Sequence, residues 1–382
     1  MKILLPYCDF KIDDTNMVGG IENFMRRVYS EYKDNVILLD LNPLLLDCGN
    51  DSSSSKFIKK TNKLIKLKAS ENNVDVIMSN RLKGMYCSIS MLDSHIPFIH
   101  IEHTTSPMMS TIGWLHRFKT NGHSIFLVSP FQKNYYDGFA TRTGNDLVDF
   151  DGFVEPAFLD GTKPKLNENP EFDCATIGRC CPRTKRPFKL KSMLQDTDFK
   201  TLLITNPETQ VESQITANKK YIKTRLINQK YFEKNKHWDN CLFDIPHDEV
   251  MKNLSNTKTY FMSWEDETFG ITGLEALSRG VPLILNSRMT EDRQPTKRQN
   301  YKFPLHASNI IPVRDRHCVN IMVNCKEELI SAINKLKDVD RKEIQDMTWE
   351  KYTPARWKSL MDNALDKTIE NFKSSRGGVL PI

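Results

Sequence analysis

Short apolar runs alternate along the chain with stretches whose apolar residues recur at helical spacing, and this alternation occurs twice. Residues 2–7 are an apolar run of strand length. Gly19 and Gly20 follow, and residues 21–32 then put Ile21, Phe24, Met25 and Val28 on one helical face. Residues 36–41 read as a buried strand. Residues 57–70 carry a helical stripe of Ile58, Leu64, Ile65 and Leu67, and further short strands are predicted at 74–78, 98–101 and 125–128. Strands and helices in alternation imply a parallel sheet with crossover helices.

Residues 155–173 interrupt the rhythm with Pro156, Gly161, Pro164 and Pro170 among polar residues, and are expected to be a linker. The alternation then restarts, with strands predicted at 174–177, 202–205, 241–243, 259–262 and 281–285 and helices at 273–278 and 327–336. Residues 354–372 put Trp357, Leu360, Met361, Leu365, Ile369 and Phe372 on one face of a long amphipathic helix. The expected fold class is α/β, with two Rossmann-like doubly wound domains over residues 1–160 and 171–350. Ligands of such sheets bind at the carboxyl ends of the strands.

A length of 382 residues agrees with two cores rather than one. Hydrophobic residues at 39% and charged residues at 27% are ordinary for a soluble globular protein. No apolar run reaches the length of a membrane span, so no integral membrane association is expected. Residues 1–6, followed by Asp9, Lys11 and Asp13, read as a first strand rather than a signal peptide. The nine cysteines, of which only Cys180 and Cys181 adjoin, have no metal-site spacing and suggest no disulfide framework; a reducing cytoplasm fits them. The net charge of +6 suits a polyanionic partner, but solvated lysine faces account for it equally.

The chemistry concentrates in residues 264–282. Trp264, Glu265, Asp266, Glu267 and Thr268 lead into Phe269, Gly270, Ile271 and Thr272, where a helix begins, and Gly280, Val281 and Pro282 precede the next strand. A glycine loop opening a helix offers backbone N–H groups and the positive end of a dipole, which suit a diphosphate. Carboxylates suit sugar and ribose hydroxyls, and Glu267 and Glu275 lie on either side of the glycine turn.

Glu267 and Glu275 with seven residues between them, together with Phe269-Gly270, Glu275-Ala276 and Gly280-Val281-Pro282, resemble the donor-site signature of retaining GT-B glycosyltransferases of the family 4 type. The resemblance implies two Rossmann-like domains facing a cleft, with the helix at 354–372 crossing back to the N-terminal domain. It assigns Glu267 to the donor sugar and Glu275 to the ribose, with Gly270, Ile271 and Thr272 around the phosphates. Gly178 and Arg179 end the first strand of the second half, and the resemblance has Arg179 and a following lysine clasp the pyrophosphate. Lys185 is the candidate, with Arg183 next and Arg186 competing. Gly19 and Gly20 resemble the glycine loop of the first domain, and His103, ending the strand at 98–101, resembles a histidine near the donor sugar. The family analogy further implies retention at the anomeric carbon, no metal, and no side-chain nucleophile, the leaving phosphate assisting deprotonation of the acceptor. Asp149-Phe150-Asp151 has the Asp-x-Asp spacing but reads as a turn. The co-substrate is a nucleotide-sugar, with uridine diphosphate the default by family frequency.

The acceptor is less legible. The 5-hydroxymethylcytosine glycosyltransferases of T-even-like phages are compact, basic GT-B chains, and DNA is the acceptor favoured by this resemblance. Residues 219–238 interleave Lys219, Lys220, Lys223, Arg225, Lys230, Lys234 and Lys236 with Tyr221, Tyr231, Phe232 and Trp238, and residues 288–302 add Arg293, Lys297 and Arg298. Cations among aromatics suit a phosphate backbone and an extruded base. The alternative is a cell-surface or lipid-linked glycan reached from an anionic membrane by a basic helix, for which residues 57–68 with Lys59, Lys60, Lys63, Lys66 and Lys68 are the candidate. A non-catalytic nucleotide-sugar-binding protein is a third reading, and a monomer is expected.

Overall fold

The computed structural model describes residues 1–8, 12, 20–49, 54–79, 94–103, 109–180, 186–206, 219–263, 269–287, 318–322 and 325–376. The chain forms two compact units. One comprises Met1–Phe158 together with the chain from Pro354 onward, and the other Leu159–Thr353.

In the first unit, strands β1 (Ile3–Tyr7), β2 (Val36–Asp40), β3 (Val76–Ser79), β4 (Phe98–Glu102), β5 (Ser124–Leu127) and β6 (Gly152–Phe153) form a parallel sheet in the order β2-β1-β3-β4-β5-β6. Strands β1, β3, β4 and β5 are buried at every position. Helices cover both faces of such a sheet, so its strands are continuous apolar runs rather than alternating ones. Helix Ser55–Asn72 starts where Ser54 Oγ accepts the Phe57 N–H and ends at Asn73 in a left-handed conformation. Its buried side is Phe57, Thr61, Asn62, Ile65 and Ala69. Leu67, read from the sequence as part of the apolar stripe, is instead 49% exposed. It lies two positions from both Ile65 and Ala69, on the far side of the helix, beside the exposed Lys63 and Lys66.

Helix Pro354–Ser375 belongs to this first unit although 195 residues of the other unit separate it from Phe158. Its apolar face, Trp357, Met361, Ala364, Leu365 and Phe372, is buried. Phe24 meets Trp357 edge-on at 6.0 Å, Phe372 stacks on His123 at 5.5 Å, and the Trp357 Nε1–H donates to the Glu155 carbonyl at 2.9 Å. Asp151 fastens the far end. Its carboxylate accepts from the Ile125 N–H and from Asn371 Nδ2, both at 2.7 Å, and pairs with Lys119 at 2.5 Å, while Lys367 Nζ reaches its carbonyl at 2.6 Å. The Asp-x-Asp spacing at 149–151 thus serves to anchor this helix. Removing one partner of a buried, hydrogen-bonded charge is costly, so Asp151→Ala is expected to lower stability by about 2–3 kcal/mol. A denaturant titration that left the midpoint unmoved would contradict this anchoring role.

In the second unit, β7 (Phe172–Ile177), β8 (Thr201–Thr205), β9 (Cys241–Phe243), β10 (Thr257–Met262), β11 (Leu283–Ser287) and β12 (Cys318–Met322) form a parallel sheet ordered β12-β11-β10-β7-β8-β9. Counted within the unit from its far edge, that is third, second, first, fourth, fifth and sixth, the order of dinucleotide-binding domains. The proline-rich stretch before β7 is packed against helix Arg341–Lys351. Gln345 Nε2 donates to the Pro164 carbonyl at 3.0 Å, and an Arg341 guanidinium nitrogen to the Asn167 carbonyl at 2.9 Å.

Candidate functional site

Strand order reverses between β7 and β10, and the crevice beyond the carboxyl ends of two such strands is where open α/β sheets bind ligands. Both halves of the candidate donor motif emerge there. Strand β7 runs into Gly178 and Arg179, and β10 leads to Phe269, Gly270 and helix Ile271–Leu277. The two strands pair in parallel, Ala175 opposite Tyr260. The buried Tyr260 then joins the two loops: its hydroxyl donates to the Ile177 carbonyl at 3.3 Å and shares a hydrogen bond with Thr272 Oγ1 at 3.1 Å. Nothing in the local sequence around Tyr260 marks this role, because it depends on which strand lies next to β10.

The neighbours of Arg179 are pinned. The Gly178 N–H donates to Ile204, the Thr205 hydroxyl donates to the Gly178 carbonyl at 2.6 Å, and the Cys180 N–H donates to Asn206. Arg179 itself is exposed between them. Gly270 has φ +80°, a left-handed conformation that favours glycine, and its carbonyl accepts from the N–H groups of Gly273 and Leu274. The Ile271 and Thr272 N–H groups belong to the first turn, which a helix cannot satisfy internally. The Phe269 side chain is buried, edge-on to Tyr352 at 6.1 Å, so this residue offers the site backbone rather than ring.

Much of the remaining motif is explained by folding. Gly273 lets the helix lie on the sheet: a Cβ there would stand 3.1 Å from Met262 Sδ and 3.4 Å from Leu283 Cδ1. Gly280, with φ +71°, closes the helix: its N–H donates to Leu277 while the Val281 N–H donates to Ala276. That is a Schellman cap, and Pro282 follows where the helix cannot continue. Glu275 is different. Its mostly buried carboxylate meets His247 Nε2 at 2.9 Å.

In the first unit, Gly20 opens helix Gly20–Glu31, and His103 follows β4. His103 is buried with its ring edge-on to Phe24 at 4.8 Å. Burial, and secondarily His100, push its pKa down to about 3, so it is a neutral imidazole at physiological pH. Protonation of the unfolded chain below about 6.5 therefore works against folding, and this residue's effect on stability grows as pH falls from there toward 3. On the opposite face of β4, His100 and Glu102 form a buried pair at 3.4 Å, with Ser79 Oγ on the other ring nitrogen at 3.2 Å. In the sequence this pair shows only as two polar residues at strand period inside an apolar run. Glu267, Lys185, Arg183 and Gly19 lie outside the described residues. Arg186 has φ +43° and sits in the turn before helix Lys189–Leu194. Among the described residues no group of three or more His, Cys, Asp or Glu is placed to hold a metal.

The basic and aromatic stretch at 219–238 requires a correction. Tyr231 meets Phe188 edge-on at 5.3 Å and Phe232 meets Phe243 at 5.0 Å. With Trp238 they pack against the buried Cys180, Phe188 and Leu203. Helix Lys219–Asn235 thus spends these aromatics on its own core, leaving Lys230 and Lys234 outward. Packed in this way, Tyr231, Phe232 and Trp238 are partly buried rather than displayed to solvent as a stacking platform, and the side chain of Tyr221 lies outside the described residues. Residues 288–302 lie outside the described residues.

Neither a protein-family model nor a curated protein matches the sequence. Solved structures do match over nearly the whole chain. The lipopolysaccharide outer core galactosyltransferase WaaB shares 13% identity with a TM-score of 0.59, over 96% of this chain and 99% of its own. HepE of Anabaena in complex with UDP-glucose shares 15% with a TM-score of 0.61, over 96% and 99%. Sucrose-phosphate synthase from Thermosynechococcus elongatus shares 11% with a TM-score of 0.63, over 97% and 99%. The chain therefore has the GT-B fold, two Rossmann-like units with parallel sheets.

Proposed function

We propose that the protein is a retaining glycosyltransferase that moves a sugar from a nucleoside-diphosphate sugar to an acceptor hydroxyl. The observation that carries this reading is the convergence at one strand-order reversal of Arg179, the Gly270 turn and Glu275, joined by Tyr260. Cations and backbone N–H groups stabilise the negative charge that grows on a departing pyrophosphate, and a carboxylate accepts hydrogen bonds from ribose hydroxyls. In this reading Arg179 and Lys185 stabilise the departing diphosphate, Glu267 holds the sugar hydroxyls and Glu275 the ribose. The family resemblance also assigns Gly19, Gly20 and the neutral His103 a part in holding the donor. No metal is assigned a part. HepE was solved with UDP-glucose, which makes a UDP-sugar the first donor to try.

For the acceptor, the favoured reading is a glycan or glycolipid hydroxyl. Helix Ser55–Asn72 turns Lys56, Lys59, Lys60, Lys63 and Lys66 to solvent with Leu67 among them, and carries an acid only at Glu71. Such a face suits an anionic membrane surface. WaaB is by name a lipopolysaccharide core enzyme, which points the same way. DNA carrying 5-hydroxymethylcytosine is the second reading, and it retains only the charge argument.

The test is transfer from radiolabelled UDP-sugars to a panel of lipid-linked glycans, hydroxymethylcytosine duplexes and plain duplexes. The expected result is label in the glycan fraction, with the anomeric configuration of the donor kept in the product by proton NMR. Label in the modified duplex alone would establish the DNA reading instead. Donor binding without any turnover or hydrolysis would make the protein a binding module.

A further inference from the structure

We propose that His247 is a positioning residue for the donor ribose, and that its protonation tunes how tightly the nucleotide-sugar is held. This rests on the donor-site reading above. His247 opens helix His247–Ser255 directly after Pro246, 28 positions before Glu275 in the chain, yet its Nε2 lies 2.9 Å from Glu275 Oε1. The Glu275 side chain is 19% exposed and that of His247 52%. The carboxylate is thus held in place, while the imidazole exchanges protons with solvent.

A carboxylate already held in one orientation loses less conformational freedom when it accepts the hydroxyls of a diol. The His247 bond fixes it through one oxygen and leaves the other, Oε2, for ribose hydroxyls. Charge acts in the same direction. A carboxylate near a diphosphate repels it, and an imidazolium at 2.9 Å offsets that repulsion. The two helices are also joined independently, Arg279 Nε donating to the Met251 carbonyl at 3.1 Å. Loss of the His247 side chain therefore releases the carboxylate without releasing the helix.

Among the described residues, the charged groups acting on His247 are Glu275 and Arg279 from the packed helix and Asp248 on its own. The hydrogen bond to Glu275 dominates and raises the imidazole pKa above its ordinary 6.5, with partial burial and, less strongly, Arg279 opposing. A raised pKa means that the charged pair is fully formed below 6.5 and is lost as pH climbs through the raised value. Donor affinity follows the same course, strongest on the acid side and weakening as the solution becomes alkaline.

The experiment measures donor affinity calorimetrically from pH 6 to 9 on the full chain, with UDP-glucose, ADP-glucose and GDP-mannose as probes. Their diphosphate diesters do not titrate in this range. Wild type is expected to lose about five- to tenfold in affinity across the window, because deprotonation removes the charge from the hydrogen bond and not the bond itself. His247→Ala is expected to bind weakly and without a pH slope. His247→Gln, which keeps a donor N–H without the charge, should bind better than His247→Ala and also without a slope. In turnover the loss appears in KM rather than kcat. A flat wild-type profile, or a wild-type slope preserved in His247→Ala, overturns the role of His247 and leaves the donor site standing. Failure of wild type to bind any of the three probes overturns the donor-site reading itself.

Discussion

Replacing Arg179 by alanine is expected to cut sugar transfer by about two to three orders of magnitude while leaving the fold intact. The two halves of that expectation come from different observations. Arg179 is exposed, and the backbone on either side is held by Gly178, Thr205 and Cys180, so the turn does not depend on its side chain. Its guanidinium stands where the strand order reverses, and a planar, permanently charged fork matches two phosphate oxygens at once. Arg179→Lys keeps the charge and loses the fork, so it should recover only part of the rate. Steady-state kinetics beside a thermal melt separate these effects. Near-normal turnover in Arg179→Ala, with an unchanged melt, would remove this residue from the reaction. Glu267→Ala is expected to behave alike.

Gly280→Ala should do the reverse, damaging the fold directly and the chemistry only as a consequence. The residue has φ +71°, and an added Cβ would stand 2.4 Å from the Arg341 carbonyl oxygen. That carbonyl has nowhere to go. The Arg341 side chain donates to the carbonyls of Gly280, Asn167, Ser255 and Arg279, tying its helix to three other segments. Left-handed backbone and overpacking together cost about 3 kcal/mol or more. In a unit of this size that lowers Tm by roughly 6–12 °C, readable by calorimetry. A melt within a degree of wild type would mean that helix Arg341–Lys351 is free to shift.

These two residues also show what a sequence can carry. Gly280 and Gly273 are local punctuation, visible as a helix stop and a small residue on a helix, and they belong to the same motif as Glu275. Only the structure separates their duties, because the neighbours that demand glycine belong to other elements, Met262 and Leu283 on the sheet for Gly273 and Arg341 for Gly280. Strands β1–β5 and β7–β11 were legible as short, mostly apolar runs, whereas the two-residue β6 and the strand β12 were not read from the sequence. The order of the strands was not legible, since it is decided by long-range pairing such as β7 with β10. Helix Lys219–Asn235 misled for a related reason: an aromatic among lysines reads the same whether it faces a base or Phe188. His247 has no local pattern at all, being joined to Glu275 only by the packing of two helices.

Helix Pro354–Ser375 has one more consequence. On the ribosome, the first unit is completed only after the second, which is inserted within it. Strands β4 and β5 emerge early, but the helix that covers them, with Trp357 and Phe372, is translated after the whole of the intervening unit. The nascent first unit must wait with an open apolar flank while its neighbour already has its complete sequence, which reverses the usual order in which domains mature during synthesis.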